Sequence, residues 1–286
     1  MKKTPAIPQK LKIALSVIFV VLVAVLVVRV FLPKRVTRVE PRVTKAKSSV
    51  PVTRKIVTPR KPAAPPGSVP RMAIILDDWG YDYSLLEGAI AIGKPVTLAI
   101  LPGLKYSRDI ARDAHKAGLG VMLHMPMQSK SGRNAEPHTI LTTSSEIEIL
   151  NYLEEGIDAV PYLEGINNHQ GSLAASDERV MRVVLGRLKK KGLFFIDSRV
   201  VATSVGARIA EELGVPHATR DVFIDNVAQI DAVKEQLRKA KAIALKHGLV
   251  IVIGHDKWVT LRAILEMVPE LEEAGIRFVY VRELVQ

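Results

Sequence analysis

From residue 71 to the C-terminus, short apolar runs alternate with amphipathic stretches of helical length. The runs have the length of β-strands, and most of them end on polar, chemically reactive side chains. Strand-length and helix-length segments in regular alternation predict parallel strands joined by helices. Seven or eight such runs in residues 71–286 therefore predict an α/β fold, a deformed or incomplete (β/α) barrel with parallel strands.

Four amphipathic segments have the composition and the ends of helices. Each ends at a glycine, and they cover residues 107–118, 176–192, 233–248 and 259–275. In the second segment Val180, Val184 and Leu188 share one helical face, which predicts that this face is buried. The fourth segment contains Pro269, which predicts a kink.

The first 70 residues differ from the rest in composition. Residues 11–32 are almost wholly apolar and long enough to cross a bilayer if Lys12 and Arg29 extend toward its surfaces. No small-residue cleavage pattern follows, which favours an uncleaved anchor over a signal peptide. Residues 33–70 contain eight prolines and no helical or strand period, which predicts a disordered linker. We expect a membrane anchor over 1–32, a Pro-rich basic linker over 33–70 and a barrel domain over 71–286.

The positive charge of the chain lies mainly in this N-terminal part. The chain has 41 Lys and Arg against 29 Asp and Glu, a formal net charge of +12. Residues 1–70 hold 15 of the basic residues and one acid, which leaves 26 basic and 28 acidic residues in the barrel domain. The domain has no excess positive field, which argues against nucleic acid as a partner. Basic residues flank both ends of the apolar segment, so charge alone does not decide which end lies on which side of the membrane. The sequence allows no protein partner to be inferred.

The polar residues at the ends of the predicted strands are the candidate functional residues. In a parallel barrel the carboxyl ends of all strands meet at one face, so side chains that are distant in sequence converge there. These residues are Asp77, Asp78, His124, His169, Asp197, Asp225 and His255. Carboxylates and imidazoles together suit Zn²⁺ or a similar divalent ion. Such an ion would also offset the repulsion between Asp77 and Asp78.

Several motifs resemble those of a known family. The sequence "LDDWG" of residues 76–80 resembles the T-F-D-D-G motif of the polysaccharide deacetylases of carbohydrate esterase family four, and "VIVIGHD" resembles their closing Leu-His-Asp strand. Longer stretches are more similar to the branch called divergent polysaccharide deacetylases. These are "AIILDDWGYD", "HMPMQ", "GINNHQGS", "FFIDSR", "VFIDN" and "GHDKWVTL", which occur in the expected order over most of residues 72–285.

The resemblance implies a metal-dependent hydrolase that removes acetyl groups from an N-acetylated envelope or extracellular polysaccharide. In that chemistry Asp77 is the general base that activates a water, and Asp78 is a metal ligand. His255 is the general acid that protonates the leaving amine, with Asp256 or another nearby acid tuning its charge. The resemblance also implies that the domain lies on the periplasmic or extracellular side of the membrane.

One position departs from the family's pattern. The family takes both histidine ligands from one H-S/T-x-x-H motif, whereas Gln128 replaces the second histidine here. We expect His169 to complete the site with Asp78 and His124, the alternative being that the metal site is weak or lost. Arg199 is a candidate substitute for the family's arginine motif. The residues expected to bind substrate are Trp79, Asn168, Asp197, Arg199, Asp225 and Asp256.

Two other functions remain open. A non-catalytic glycan-binding or envelope-scaffold protein would keep the barrel, an option that Gln128 supports and the presence of Asp77, Asp78 and His255 opposes. A metal hydrolase acting on a phosphoester ranks last, because the near-neutral domain shows no evident phosphate clamp in its sequence.

Overall fold

A computed structural model of the chain describes residues 67–132 and 136–286. The predicted membrane anchor and nearly all of the predicted linker lie outside these residues. Within the described part, no helix is both long and apolar enough to cross a membrane.

The described residues form nine strands, all in one parallel sheet. They are β1 (Arg71–Trp79), β2 (Thr97–Ile100), β3 (Gly120–Met127), β4 (Gly165–Gln170), β5 (Phe194–Asp197), β6 (His217–Thr219), β7 (Val222–Phe223), β8 (Leu249–His255) and β9 (Arg277–Phe278). Their order across the sheet is β6-β5-β4-β3-β2-β1-β8-β7, and β9 pairs with the start of β1. The predicted parallel strands are confirmed.

The sheet curls because its two edge strands are consecutive in the chain. β6 and β7 lie at opposite edges, yet only Arg220 and Asp221 separate them. The backbone N–H of Arg220 donates to Asp197 O on β5 (3.1 Å), and that of Asp221 donates to Ile251 O on β8 (2.9 Å). This dipeptide brings the two edges together, and the sheet is the incomplete barrel that the alternating pattern predicts.

Seven α-helices of the described part connect the strands. They are α1 (Leu86–Ile90), α2 (Ser107–Lys116), α3 (Glu146–Ala159), α4 (Glu178–Lys191), α5 (Gly206–Leu213), α6 (Ile230–His247) and α7 (Trp258–Glu273). The four predicted helices correspond to α2, α4, α6 and α7, and the predicted face of α4 is buried. Pro269 lies inside α7, and the helix continues past it to Glu273.

The two faces of the sheet bury two separate apolar layers. Along β1, Met72 and Ile74 pack with the helices, whereas Ala73 and Ile75 face the interior, as expected for side chains that alternate along a strand. Fully burying one such Ile or Met stabilises the fold by about 1.5–3 kcal/mol. The layers therefore hold the strand ends in fixed positions. The interior layer is completed by the C-terminal residues Val279, Val281 and Leu284.

The last apolar run forms a shorter strand than the sequence suggests. Only Arg277 and Phe278 pair with β1, after which the chain turns into the 3₁₀ helix Val281–Glu283. The C-terminus then reaches β6, where Gln286 and His217 exchange two backbone hydrogen bonds of 3.0 and 3.2 Å. The end of the chain thus closes the barrel interior at the end where the strands begin.

The opposite end is the one that matters for chemistry. Because all strands are parallel, their carboxyl ends lie at the same end of the barrel. We call this end the mouth. It is marked by the last residues of the five strands that carry the candidate site, which are Trp79, Met127, Gln170, Asp197 and His255.

Candidate metal centre and active site

A β-bulge at the end of β1 turns two neighbouring carboxylates toward one centre. Between Leu76 and Trp79, β1 has one residue more than its partner β2. Asp78 has the left-handed backbone conformation, with φ of 70°. In a regular strand Asp77 and Asp78 would point to opposite faces, but a bulge re-aims one of them. Both carboxylates accordingly approach His124, at 3.7 Å from Asp77 and 3.2 Å from Asp78.

Three potential metal-ligand atoms meet at the mouth, one each from β1, β3 and β4. Asp78 Oδ1 lies 3.2 Å from His124 Nε2 and 2.9 Å from His169 Nδ1, and the two nitrogens are 3.1 Å apart. Bonds of about 2.0–2.1 Å in a tetrahedral zinc site place neighbouring ligand atoms about 3.3 Å apart. The three side chains therefore have the spacing and donor types of a divalent-ion site.

The environment of Asp78 Oδ1 also fits a cation. This oxygen is buried and, among the described residues, receives no hydrogen bond of acceptable geometry, although two imidazole nitrogens are close. A buried oxygen left without a donor costs about 1–3 kcal/mol. A metal ion held by Asp78, His124 and His169 would satisfy it, so the residues present fit such an ion.

Asn167 orients His124 and Asp77 at the same time. His124 Nδ1 lies 2.7 Å from Asn167 Oδ1, and because an amide oxygen can only accept, this nitrogen carries the proton. The lone pair of His124 is thereby left on Nε2, which faces Asp78. The other end of the amide, Asn167 Nδ2, donates to Asp77 Oδ1 at 2.9 Å. One fully buried asparagine thus links a candidate ligand to the candidate base.

His169 is held in the complementary way. Its Nε2 lies 3.3 Å from Glu136 Oε1, and the negative charge of this carboxylate favours the tautomer with the proton on Nε2 and the lone pair on Nδ1. The amide of Gln170 is 3.2 Å from the same nitrogen, and an amide can present either its nitrogen or its oxygen. Glu136 is itself only 10% exposed, and Tyr81 Oη donates to it at 3.5 Å.

Gln128, which stands where the family has its second histidine, is engaged elsewhere. Its Oε1 accepts hydrogen bonds from the N–H and the hydroxyl of Thr142, at 2.7 and 2.9 Å. Gln128 therefore fixes the loop that follows β3. The place beside His124 is taken by His169 from the adjacent strand β4, where it lies opposite Pro126.

His255 approaches the same centre from β8, where it is the register partner of Asp77. Its Nδ1 lies 2.7 Å from Asp225 Oδ1, while Asp225 Oδ2 accepts from the backbone N–H of His255 at 2.9 Å and from Thr260 Oγ1 at 2.7 Å. The Asp225 side chain is fully buried. His255 Nε2 remains available and lies 4.0 Å from Asp78 Oδ2.

The surroundings shift the pKa values of these groups in directions that suit proton transfer. Burial raises the pKa of Asp77, against the opposing charge of His124 and the Asn167 hydrogen bond. Burial alone would lower the pKa of His255, but the hydrogen bond and charge of Asp225 outweigh it and raise that pKa. A carboxylate with a raised pKa is a better base, and an imidazole with a raised pKa stays protonated at higher pH.

The ligand atoms are shifted as a coupled group. Burial would raise the pKa of Asp78, but the close imidazoles of His124 and His169 hold it well below its usual range. Burial would lower the pKa of His124, yet Asp77 and Asp78 together raise it to about 9. The two carboxylates thus favour a positive charge among these side chains, which is the electrostatic requirement for a cation site.

Some of the expected substrate-binding residues lie inside the fold. Trp79 is fully buried, so its ring has no exposed face on which a sugar could stack. Asn168 is also buried; it accepts from the backbone N–H of Ser198 at 3.0 Å and donates to Gln170 O at 2.8 Å. Both positions favour structural roles, and substrate contact by either residue stays a prediction.

Asp197 is likewise turned away from the ligand cluster. Its carboxylate accepts from the backbone N–H of Arg199 at 2.8 Å and from Ser204 Oγ at 2.7 Å, which fixes the loop after β5. Arg199 is half-buried at the mouth, with φ of 47°. Asp256 is at the mouth beside His255, and burial together with the charge of Asp78 raises its pKa to about 7. The carboxylate that contacts His255 is that of Asp225, which acts on the imidazole rather than facing a substrate.

Sequence reasoning missed Asn167, Glu136 and Arg220. A signal for Asn167 exists: side chains two residues apart share a face of a strand, so a ligand at His169 implies that Asn167 faces the same centre. Glu136 lies in the loop before α3, and no periodicity marks it. Arg220 joins the two sheet edges, a position that only the strand order reveals.

Comparisons with known proteins identify the family of the chain. Residues 74–285 match the sequence model of a family described as divergent polysaccharide deacetylase. The chain is 32% identical over 201 residues to the uncharacterized protein YibQ of Escherichia coli (strain K12), covering 70% of this chain and 63% of YibQ, so less than two thirds of that relative is matched. It is 33% identical over 203 residues to an uncharacterized protein of Haemophilus influenzae, covering 70% of this chain and 72% of that protein.

A solved structure has a similar fold. The crystal structure of an uncharacterized protein from Agrobacterium tumefaciens C58 superposes with a TM-score of 0.72 at 23% identity, over 79% of this chain and 92% of that one. At this identity the similarity concerns the fold, and it supports the curled parallel sheet described above.

Proposed function

The chain belongs to the divergent polysaccharide deacetylase family, and we propose that it hydrolyses the N-acetyl groups of an envelope or extracellular glycan. The observation that carries the proposal is the convergence of Asp78, His124 and His169 on one point, with Asp77 and His255 beside it. Two imidazoles and one carboxylate suit Zn²⁺ best among the common divalent ions. The proposed cofactor is therefore a divalent ion, with Zn²⁺ preferred.

Each residue has a distinct task in this reaction. A divalent ion bound by Asp78, His124 and His169 would supply a Lewis acid that polarises the acetyl carbonyl and lowers the pKa of a water. Asp77, held by Asn167, accepts the proton of the attacking water. The base is thus fixed before the substrate arrives, which removes an orientational cost from the reaction.

His255 completes the proton balance. Its Nε2 faces the ligand cluster and donates a proton to the leaving nitrogen, so that the amide bond breaks to an amine and acetate. Asp225 accepts a hydrogen bond from Nδ1–H of His255 and stabilises the imidazolium before the transfer. Asp225 supports the acid through this bond, which is the task first expected of Asp256 or another nearby acid.

The first experiment is the metal content of the purified full-length protein, measured by elemental analysis. We expect about one equivalent of a divalent ion, lost in His169→Ala and Asp78→Asn. His217→Ala is the matched control, because His217 is a partly buried strand histidine that contacts Val215 O, outside the ligand cluster. An ion content that is unchanged in the two ligand variants would refute the assignment.

Acetate release from N-acetylated glycans tests the reaction itself. We expect His255→Ala to keep the metal and to lose about 10²–10⁴-fold in rate, the usual contribution of a general acid. Full activity of this variant would move the acid role to another group. Bound metal without acetate release from any N-acetylated glycan would favour the alternative, a non-catalytic glycan-binding or scaffold protein.

The proposed place of action follows from the N-terminal sequence and the substrate class. An apolar segment over residues 11–32 and a Pro-rich linker would tether the domain to a membrane, with the domain on the periplasmic or extracellular side. Membrane fractionation and protease protection of the full-length protein test this proposal. A protein recovered wholly in the soluble fraction would reject it.

A further inference from the structure

Two arginines stand together at the mouth, on the side formed by β5 and β6. Arg199 follows β5, and Arg220 follows β6, where the two edges of the sheet meet. Both are half-buried. Within the described residues, no carboxylate lies within ion-pair distance of either guanidinium, whereas Arg112, Arg182 and Arg208 on the outer helices pair with acids.

The guanidinium of Arg220 is fixed in place by neutral groups. Its Nε donates to Ser198 O at 2.7 Å, and its Nη2 donates to Arg199 O at 3.0 Å. Its Cζ lies 3.7 Å from the centre of the Phe223 ring, in cation–π contact. These contacts use two of the three nitrogens, and Nη1 makes no hydrogen bond to any described residue. Arg220 is therefore preorganised, with donor capacity left over.

A purely structural role does not explain a cation at this position. Burial, together with the charge of nearby Arg199, lowers the pKa of Arg220 to about 10 against the attraction of Asp197. The Asp197 carboxylate is occupied by Arg199 N and Ser204 Oγ, so it does not pair with the guanidinium. The carbonyls Ser198 O and Arg199 O would be satisfied equally well by a neutral N–H donor. A partly desolvated guanidinium that has no ion-pair partner among the described residues is costly.

The pair lies next to the proposed reaction centre. The ring of Phe223 contacts Arg220 and also lies nearly parallel to the imidazole of His255. The two ring centres are 6.0 Å apart, and the angle between the ring planes is 11°. The guanidinium and the proposed acid therefore neighbour the same aromatic ring. A group bound at Arg220 would belong to the sugar that carries the acetamido group or to the adjacent one.

We propose that Arg199 and Arg220 form an anion subsite, and that the substrate is an acidic N-acetylated glycan whose carboxylate or phosphate binds there. The planar guanidinium matches both oxyanions in geometry. The inference rests on the proposed function, because it assigns a substrate class to the same mouth.

Two exposed aromatic side chains near the carboxyl ends of β1 and β8 are suited to the uncharged faces of a sugar. Tyr81, on the loop that follows β1, and Trp258, the first residue of α7, are 55% and 61% exposed. Exposed aromatic rings provide stacking surfaces for sugar rings. The mouth thus offers aromatic contact after β1 and β8, the proposed metal centre within, and positive charge after β5 and β6.

Binding to the metal-free full-length protein tests the subsite, since an anion cannot then be held by the metal. Three probes share the N-acetyl group: neutral N,N′-diacetylchitobiose, a disaccharide with a lactyl-ether carboxylate, and N-acetylglucosamine 6-phosphate. Calorimetric titration should show that at least one anionic probe binds about 10-fold or more tightly than the neutral one, and that added salt weakens this preference. The tighter anionic probe identifies the source of the oxyanion.

Variants assign the preference to the arginines. In Arg220→Met we expect the affinity for the anionic probe to fall about 10-fold or more, toward that for the neutral probe, the effect of losing a charge-assisted hydrogen bond. Arg199→Met serves as a second variant, because its side chain makes no hydrogen bond to a described residue and its loss leaves the loop contacts intact. Arg277→Met is the control, since it removes the same charge from an exposed residue of β9 at the opposite end of the barrel.

Equal binding of neutral and anionic probes to the wild-type protein would overturn the subsite, as would a preference that survives in both arginine variants. Failure of the subsite is distinguishable from failure of the proposed function. Metal-loaded protein that releases acetate equally well from neutral and acidic glycans keeps the reaction and removes the subsite. Arginine-dependent anion binding by a protein that takes up no metal keeps the subsite and removes the reaction.

Discussion

Asn167 and Asn168 are adjacent, nearly equally buried and similarly bonded, so together they form a controlled test of the proposed centre. Asn167 bonds to His124 and Asp77, whereas Asn168 bonds to Ser198 N and Gln170 O. Replacing either by alanine removes one donor and one acceptor from the interior. Only the change at Asn167 removes partners of the metal ligand and the base.

The expected magnitudes follow from these bonds. Each buried polar group left without a partner costs about 1–3 kcal/mol, so we expect either substitution to lower the free energy of unfolding by about 2–6 kcal/mol. Metal affinity should separate the two variants. Without Asn167 the imidazole of His124 loses the bond that fixes its tautomer and orientation, which typically weakens metal binding about 10–100-fold. In Asn168→Ala we expect a change of less than about 3-fold.

The assay has two parts, made on the same preparations. Chemical denaturation of metal-free protein gives the free energy of unfolding of each variant. Competition with a chromophoric chelator then gives metal affinity under conditions in which all variants are folded. Equal losses of metal affinity in both variants would refute the reasoning, because the effect would then follow general destabilisation rather than the Asn167 contacts. Unchanged affinity in Asn167→Ala would refute it as well.

Three further outcomes are expected. Glu136→Ala should weaken metal binding about 10-fold at unchanged stoichiometry, because the second histidine ligand loses the acceptor for its Nε2 proton; unchanged affinity in a chelator competition would contradict this. Asp225→Asn should lower the pKa of His255, because the hydrogen bond and charge that raise it are weakened or lost; the imidazolium would then deprotonate at lower pH, and an NMR titration showing the same or a higher pKa would argue against the pairing. Gly165→Ala should destabilise the fold by about 1–3 kcal/mol, because its Cβ would overlap the ring of Phe194; a denaturation midpoint equal to that of wild type would show that the ring can move away.

Much of the fold and part of the site could be predicted because both depend on local patterns. Apolar runs ending on polar residues mark strands whose ends carry chemistry, and this placed Asp78, His124 and His169 at one end of a parallel barrel before any distance was known. The resemblance to the family then supplied roles for individual residues. It did not supply a candidate for the histidine that Gln128 replaces. That candidate, His169, followed from its position at the end of a predicted strand.

The remaining features depend on contacts that sequence spacing does not encode. The bulge that brings Asp77 and Asp78 to one centre is an irregularity of one residue in the pairing with β2. Asn168 and Asp197 occupy the strand-end positions that suggested a site, yet hydrogen bonds direct both into the surrounding loops. Arg220 acquires its position from the meeting of two sheet edges, which are set by the order of all the strands.

The burial of Asp77 and Asp225 bears on the choice between an enzyme and a binding protein. Holding a carboxylate away from water is costly unless it is paired, and each of these has a dedicated partner, Asn167 for one and His255 for the other. A barrel that only binds a glycan requires exposed rings and hydrogen-bonding groups and has no use for two buried carboxylates beside a cation site. The raised pKa of Asp77 and that of His255, which these environments produce, suit a base and an acid in proton transfer. The cost of the two buried groups is therefore better explained by hydrolysis than by binding alone.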